Sequence, residues 1–304
     1  MDVLRPDSKP EANGAGHTHP LLGLYDAHNH LHDDRFGGRQ QDLLEGARTA
    51  GVVRMVVNGS GEDDWPAVAE LARRFPEVLP SFGCHPWYLG QRTPRWLETL
   101  DTMLAQTPGA SVGEIGLDRW MLENPERWQA YVGDSRIGQA PSLMVQETAF
   151  VGQLRLAAER KRAASIHCLR AFGRLRELLA ANPRPAGGFL LHSYGGPAEM
   201  VPEFVKLGAY FGFPGYFAHD RKCRQRETFK SVPLDRLLIE TDAPDQLPPA
   251  ALQRFPVISN DGRHLNHPGN LGAIYEYVAR LRGIPLLDLT EIVGRNFTRL
   301  FGER

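Results

Sequence analysis

The sequence predicts an α/β fold, a single closed (β/α)8 TIM barrel, and three observations predict it. Short β-rich apolar runs alternate with amphipathic helical stretches along nearly the whole chain, the pattern of a parallel α/β fold. Eight such units occupy residues 21–304, a length that suits one barrel better than an open doubly wound sheet. No G-x-G-x-x-G follows the first apolar run, which removes the dinucleotide-binding form of the open sheet.

In chain order, residues 1–20 are rich in Pro, Gly and polar side chains without periodicity and are expected to form a flexible tail ahead of a hydrolase domain over 21–304. Strands are expected at Leu22–Asp26, Val52–Asn58, Val78–Gly83, Ala110–Glu114, Ala164–His167, Gly188–His192, Ala209–Gly212 and Leu237–Asp242. Helical periodicity marks Pro94–Gln106, Val145–Arg162 and Gly173–Ala181; in the second of these Ala149, Phe150, Leu154 and Ala157 share a face. Pro197–Leu207 opens with proline at its first turn, and Pro268–Arg282 and Leu286–Phe301 close the chain. The stretch 119–142 is long for a βα loop and is expected to be an insertion at the active-site rim.

Composition narrows the function classes. Hydrophobic residues at 42% and charged residues at 23% are those of a soluble globular enzyme. A net charge of −1 supplies no overall basic field, so any nucleic-acid contact must come from a local patch or from bound cations. Cys84, Cys168 and Cys223 are odd in number and far apart, with no C-x-x-C, which supports neither a zinc ribbon nor a disulfide framework and fits a reducing compartment. No apolar run is long enough to span a bilayer, and no signal or transit peptide is legible, so a cytoplasmic monomer without membrane contact is expected, with no protein partner predicted.

The chemistry lies at the ends of the expected strands. The first ends in Asp26-Ala27-His28-Asn29-His30, and two histidines at i and i+2 on extended chain project to one side, where both reach one metal. Alone, an H-x-H is weak: His17-Thr18-His19 in the tail is a decoy, and H-N-H here is not the dispersed ββα-metal nuclease motif of that name. Position strengthens it, because Glu114, His167, His192 and Asp242 each follow another apolar run, where a barrel strand delivers its C-terminal residue to the top face. A lone His or Asp at such a place is more often a satisfied core or capping residue. Six from five strands reverse those odds, since buried imidazoles and carboxylates are too costly to cluster without a cation.

Four histidines and two carboxylates exceed one tetrahedral zinc and suit two adjacent divalent ions, with Mg2+, Mn2+ and Zn2+ all compatible. Glu114 is the natural bridge, with His28, His30 and Asp242 around one ion and His167 and His192 around the other. Paired ions activate water and clamp both oxygens of an in-line displacement at phosphorus, and Asp242 is the best-placed acid/base to take the proton of that metal-activated water, which makes Asp242 and Glu114 the catalytic candidates.

The segments DAHNH, GCHPW, VGEIGLD, a Gln146–Phe150–Gln153–Leu154–Leu156–Ala157 helix, IHC, LHS, ETDAP and Asn266-x-Pro268 occur in the order of the TatD-like deoxyribonuclease family, which this sequence resembles from residue 25 to about 300. The resemblance implies a metallo-dependent hydrolase barrel acting as a nuclease on DNA, single strands or strand ends, by exonucleolytic hydrolysis of phosphodiester bonds. It assigns the metal ligands to His28, His30, Glu114, His167, His192 and Asp242, and for His85 it favours a phosphate contact over the alternative of a loop-packing imidazole.

Three positions depart from the family pattern: His32 stands where Asp is usual, Leu169 where Arg is usual with Arg170 following, and Leu265 where Arg precedes N-x-P. They alter phosphate-gripping positions and leave Arg170, with His85, as the candidate substrate contacts. The runs HCLRAFG and LHSYGGPAEMVPEF are similar to a divergent branch found in plants and algae. Asp118 either orients a ligand or caps its loop, and Trp87 and Trp120 are expected to pack rather than stack on a base. The competing reading is a metal-dependent amidohydrolase or esterase acting on a small molecule or aminoacyl ester; such barrels often bridge their ions with a carboxylated lysine, and Glu114 stands there instead. A retired, non-catalytic barrel is disfavoured because it has no need to keep six ligands together.

Overall fold

The structure, a computed structural model, describes residues 23–132 and 139–302; the expected tail lies outside them, as does part of the expected insertion. Strands β1 (Leu24–Asn29), β2 (Val52–Asn58), β3 (Val78–Phe82), β4 (Ser111–Asp118), β5 (Ala164–Leu169), β6 (Phe189–Leu191), β7 (Ala209–Pro214) and β8 (Leu237–Glu240) form one sheet in sequence order. Each neighbouring pair is parallel, as strands must be when a helix crosses back between them. Helices supply the crossovers: α1 (Gln40–Thr49), α2 (Trp65–Arg74), α3 (Trp96–Gln106), α6 (Leu143–Glu159), α7 (Phe172–Ala181), α8 (Val201–Lys206) and α9 (Cys223–Ser231). Between β4 and α6 lie two short helices, α4 (Trp120–Glu123) and α5 (Pro125–Val132), and α10 (Leu271–Arg282) and α11 (Leu286–Phe301) follow β8.

The sheet closes where the chain leaves β8 and meets β1. There Asp242 N donates to the His28 carbonyl at 2.9 Å and His30 N to that of Ala243 at 2.7 Å. The buried Asp26 carboxylate fastens the same seam, accepting Thr241 N at 2.9 Å, Thr241 Oγ1 at 2.6 Å and Asn29 Nδ2 at 3.1 Å. Strand residues such as Val56, Phe82, Ile166, Phe211 and Ile239 are fully buried, so the barrel is a packed core with its chemistry confined to one mouth. No helix among the described residues is long and apolar enough to cross a membrane.

Strand bounds differ from the sequence reading where the site is built. β4 continues four residues past Glu114, so Glu114 is interior to its strand and not its end; β5 likewise continues past His167. Both run on because they stay paired out to Asp118 and Leu169, and Gly116 (φ +151°) permits it: a Cβ there would lie 1.9 Å from the His167 carbonyl oxygen. Pro197–Leu207 and Pro268–Arg282 each begin as a 3-10 turn, Ala198–Met200 and Pro268–Asn270, before α8 and α10. A two-stranded hairpin, β9 (Val257–Ile258) with β10 (His264–Leu265), is too short to show alternation in sequence.

Candidate metal centre

The closed sheet brings the six predicted residues to one point, with Glu114 at its middle. A register shift between Val112 and Ile115 turns this carboxylate into the barrel mouth. Its Oε2 lies 3.2 Å from His30 Nε2 and 3.5 Å from His28 Nε2, both delivered by β1 and its exit. Its Oε1 lies 2.7 Å from His192 Nε2, just past β6, and 3.1 Å from His167 Nδ1 on β5. Asp242, two residues past β8, places Oδ1 3.5 Å from His28 Nε2 and 3.6 Å from His30 Nε2. The two halves meet through the His28 and His192 rings, stacked with centroids 4.0 Å apart.

The far nitrogens of the rings show what the near ones present. His30 Nδ1 is 2.7 Å from the Asn58 carbonyl, which can only accept, so Nδ1 carries the proton and a neutral ring turns a bare Nε2 toward Glu114 and Asp242. His167 is the mirror case: Nε2 donates to Asp118 Oδ2 at 3.2 Å and turns Nδ1 toward Glu114 Oε1 and His192 Nε2, the latter 3.4 Å away. Lone pairs facing carboxylate oxygens repel unless a proton or a cation lies between them. The donor set therefore fits divalent ions, with nitrogen and oxygen atoms of neutral or anionic groups converging from both sides.

The ionisation of these groups reports the same tension. Burial opposes charge on His30, yet the hydrogen bond and charge of Glu114, with the charge of Asp242, hold its pKa up at about 9. Burial is likewise outweighed at His167, where hydrogen bonds to Asp118 and Glu114 also hold the pKa at about 9. Burial and the neighbouring His192 push His28 well below the usual imidazole range. Glu114, despite burial, is held well below the usual carboxylate range by His192 and His85 and by hydrogen bonds from His167 and His192. Burial, with the nearby Glu114 and Glu240 charges, pushes Asp242 up to about 7 against the pull of His192 and His30.

The other predicted residues divide. His85 N-caps the short turn Pro86–Tyr88: its Nδ1 accepts from Trp87 N at 3.1 Å, so Nε2 carries the proton and points it at Glu114 Oε1, 3.4 Å away. That tautomer makes His85 a donor at the centre and unsuits it as a metal ligand, although it lies as close to Glu114 and His167 as the ligand candidates do. Arg170 is exposed on the rim and donates to Glu123 Oε2 at 2.6 Å. Asp118 does both things expected of it, binding His167 through Oδ2 and capping α4 through Oδ1, which accepts Met121 N at 3.0 Å. Trp87 does more than pack: its indole N–H donates to Asp118 Oδ2 at 2.6 Å. His32, at the departing position, pairs with Asp64 Oδ2 at 3.3 Å.

Several supporting residues escaped the sequence reading. His28 Nδ1 pairs with Ser165 Oγ at 2.8 Å. Gln246 Nε2 donates to Asp242 Oδ2 at 2.5 Å and Ser193 Oγ at 2.6 Å, and Glu240 Oε1 accepts both Ser193 N and Ser193 Oγ. The Glu240 carboxylate occupies space that only glycine leaves open, since a Cβ on Gly212 would lie 2.0 Å from its Oε2. Ser165 precedes His167 by two residues within β5, so strand alternation could have flagged it, whereas Glu240 ends β8 and Asp242 follows at positive φ, which no alternation announces. Gln146 and Gln153 of α6, which the sequence marked only as motif positions, hold main chain: Gln146 clamps Asp118 (Oε1 from N, 2.7 Å; Nε2 to O, 3.1 Å) and Gln153 accepts Cys84 N at 2.7 Å, which fixes the segments bearing Asp118 and His85. Among the described residues, four of the five non-glycine residues with positive φ, namely Arg170, Ser193, Asp242 and Gln246, lie around this mouth, where local backbone strain is held in place by the barrel.

The mouth opens into a cleft of about 1390 Å3 that reaches His30, Glu114, His167, His192 and Asp242 at its floor. Comparison with known proteins agrees with this geometry. The model of the TatD related DNase family matches residues 25–302. The chain is 28% identical over 281 residues to the 3′-5′ ssDNA/RNA exonuclease TatD of Escherichia fergusonii, covering 92% of this chain and 99% of that one. It is 27% identical over 283 residues to the uncharacterized metal-dependent hydrolase YjjV of Escherichia coli K12, covering 92% and 98%. The crystal structure of YjjV superposes with a TM-score of 0.78 at 24% identity, over 93% of this chain and all of that one. This chain belongs to the TatD related DNase family of metal-dependent hydrolases.

Proposed function

We propose that the chain is a nuclease that hydrolyses DNA phosphodiester bonds from strand ends, with two divalent ions that Glu114, His28, His30, Asp242, His167 and His192 would hold. The single observation that carries this reading is the division of the Glu114 carboxylate, with Oε2 facing His28 and His30 and Oε1 facing His167 and His192. Asp242 completes the first set. Divalent ions in such a place supply charge that activates water and stabilises the oxygens of an in-line displacement at phosphorus. The relatives named as single-stranded DNA/RNA exonucleases support nucleic acid as the substrate class.

The chain's own residues take definite parts. Asp242, with Oδ2 held by Gln246 and Oδ1 turned toward His28 and His30, is the carboxylate placed to take a proton from the attacking water. His85 presents its Nε2–H to the centre, where it donates to a phosphate oxygen once substrate lies over Glu114. Arg170 lines the same cleft and reaches the strand by exchanging Glu123 for a phosphate. Asp118 and Asn58 hold His167 and His30 in their tautomers.

The test is digestion of end-labelled single- and double-stranded DNA by purified protein, beside a panel of carboxylic esters and amides, with and without chelator. The expected result is stepwise release of nucleotides from an end, stopped by chelation and restored by Mg2+, Mn2+ or Zn2+. Turnover confined to the ester and amide panel would overturn the reading.

A further inference from the structure

The cleft above the centre is electrically two-sided. The loops after β1 and β2 line it with Asp33, Asp34, Glu62, Asp63 and Asp64. Each cation on these sides and across the rim already has an acceptor: Arg35 lies between Asp33 and Asp245 at 2.7 and 2.6 Å, Arg92 binds the Leu89 carbonyl, and Arg170 binds Glu123, which it must release to reach a strand. The segment after β7 is different. Arg221, Lys222 and Arg224 line the same cleft, and among the described residues none of the three has a carboxylate at ion-pair distance.

Their segment is also built to hold them there. Arg226 donates to the carbonyls of Phe217, His219 and Asp220, and His219 Nε2 donates to the Leu247 carbonyl at 3.1 Å, which ties the loop to the one after β8. The Lys222 ammonium sits 4.7 Å from the Tyr216 ring centroid and the Arg221 guanidinium carbon 5.1 Å from it, with Arg221 Nη2 also donating to Tyr216 Oη at 2.8 Å. An aromatic face and a phenol fix a cation's position without neutralising it. The result is a set of positioned, uncompensated charges in a chain whose net charge of −1 gives no general attraction for phosphate.

We propose that Arg221, Lys222 and Arg224 form the subsite that grips the phosphate backbone of the nucleic-acid strand beyond its reacting end, so that the strand leaves the centre across the β7–α9 segment and away from the acidic loops. The identity of that strand rests on the nuclease reading above. The subsite acts through phosphate and is indifferent to base. It explains how a chain of near-zero net charge holds more of its substrate than the terminal nucleotide.

The test is fluorescence anisotropy of 5′-labelled single-stranded DNA, from two to twelve nucleotides, with the full chain in chelator over a salt series, followed by digestion of the same strands with Mn2+ present. For the intact chain, affinity should rise with strand length and fall with salt. The combined Arg221→Gln, Lys222→Gln, Arg224→Gln variant should bind the longest strand roughly 10- to 100-fold more weakly at about 0.1 M salt, with a log–log salt slope shallower by about 2, three phosphates at about 0.7 each. Its advantage for long over dinucleotide substrates in kcat/KM should shrink by a similar factor. Arg224→Gln alone, at a side chain with no ion pair or hydrogen bond among the described residues, should remove about one third of that slope. Neutralising Arg176, Lys206 and Arg299, which lie outside the cleft, should leave the length dependence as it was. Cleavage by the intact chain together with an unchanged slope and length dependence in the triple variant would overturn this inference and leave the nuclease reading standing. Strand binding that depends on these cations, with no cleavage under any divalent metal, would overturn the nuclease reading and leave the subsite.

Discussion

The two halves of the centre are aimed by different means. His30 is oriented by a main-chain carbonyl, that of Asn58, which no substitution removes. His167 is oriented by a side chain, Asp118, itself held by the Trp87 indole and by the Gln146 amide. His30 is thus aimed by the fold itself, whereas His167 depends on a relay of exchangeable residues, and its half is where affinity can be tuned through that relay. Glu114 faces both, one oxygen to each.

The largest expected effect comes from removing what the halves share. Glu114→Gln keeps the size but not the charge, and should lower kcat/KM by on the order of 10^3-fold through loss of several kcal/mol of charge stabilisation. Metal content should drop in both halves while circular dichroism stays that of the intact barrel; loss of secondary structure would instead make the ion a folding element.

Next in size is pH. His30 and His167 hold protons up to about pH 9 in the metal-free chain, so metal must displace them. Affinity should therefore climb as pH rises toward 9, by about 10-fold per unit for each proton displaced, and then level off. Calorimetry in buffers of different ionisation heat should count the released protons, and zero release at neutral pH would contradict the raised pKa values of His30 and His167. The same two shifts carry a sign for stability: because both folded-state values lie above 6.5, the metal-free chain gains from them fully below that pH and loses the gain as pH passes 9, read as a fall in Tm.

Asp118→Asn breaks the comparison selectively. It should weaken metal in the His167 half by about 10- to 100-fold and leave the His30 half in place, seen as one early and one unchanged phase in a chelator competition. Equal weakening of both phases would show that the halves are not independently supported. The smallest effect is expected for Ser165→Ala, which removes the partner of His28 Nδ1 but leaves stacking on His192 to hold the ring, and should cost no more than about 10-fold in metal affinity.

What was legible in the sequence follows from how barrels write their sites. His28, His192 and Asp242 stand at or just past short apolar runs, and a barrel strand delivers such residues to one face. Glu114 and His167 were found by the same rule although their strands continue past them, because polar groups inside an apolar run stand out whichever strand residue is last. The Asn58 carbonyl is main chain and carries no residue signal at all. Gln246 reaches Asp242 only because the loop after β8 turns back through positive φ, a conformation no local pattern announces. Near-zero net charge implied that any basic surface must be local, but the placement of Arg221, Lys222 and Arg224 on the mouth depends on how the β7–α9 segment is tied down. Trp87 read as packing because an indole N–H finds its acceptor only in three dimensions.

Anomalous diffraction from crystals equilibrated with Mn2+ tests the central claim most directly. Two peaks are expected about 3.5–4 Å apart, one on each oxygen of Glu114, with His28, His30 and Asp242 around the first and His167 and His192 around the second. A single peak, or peaks that leave Glu114 uncoordinated, would contradict it.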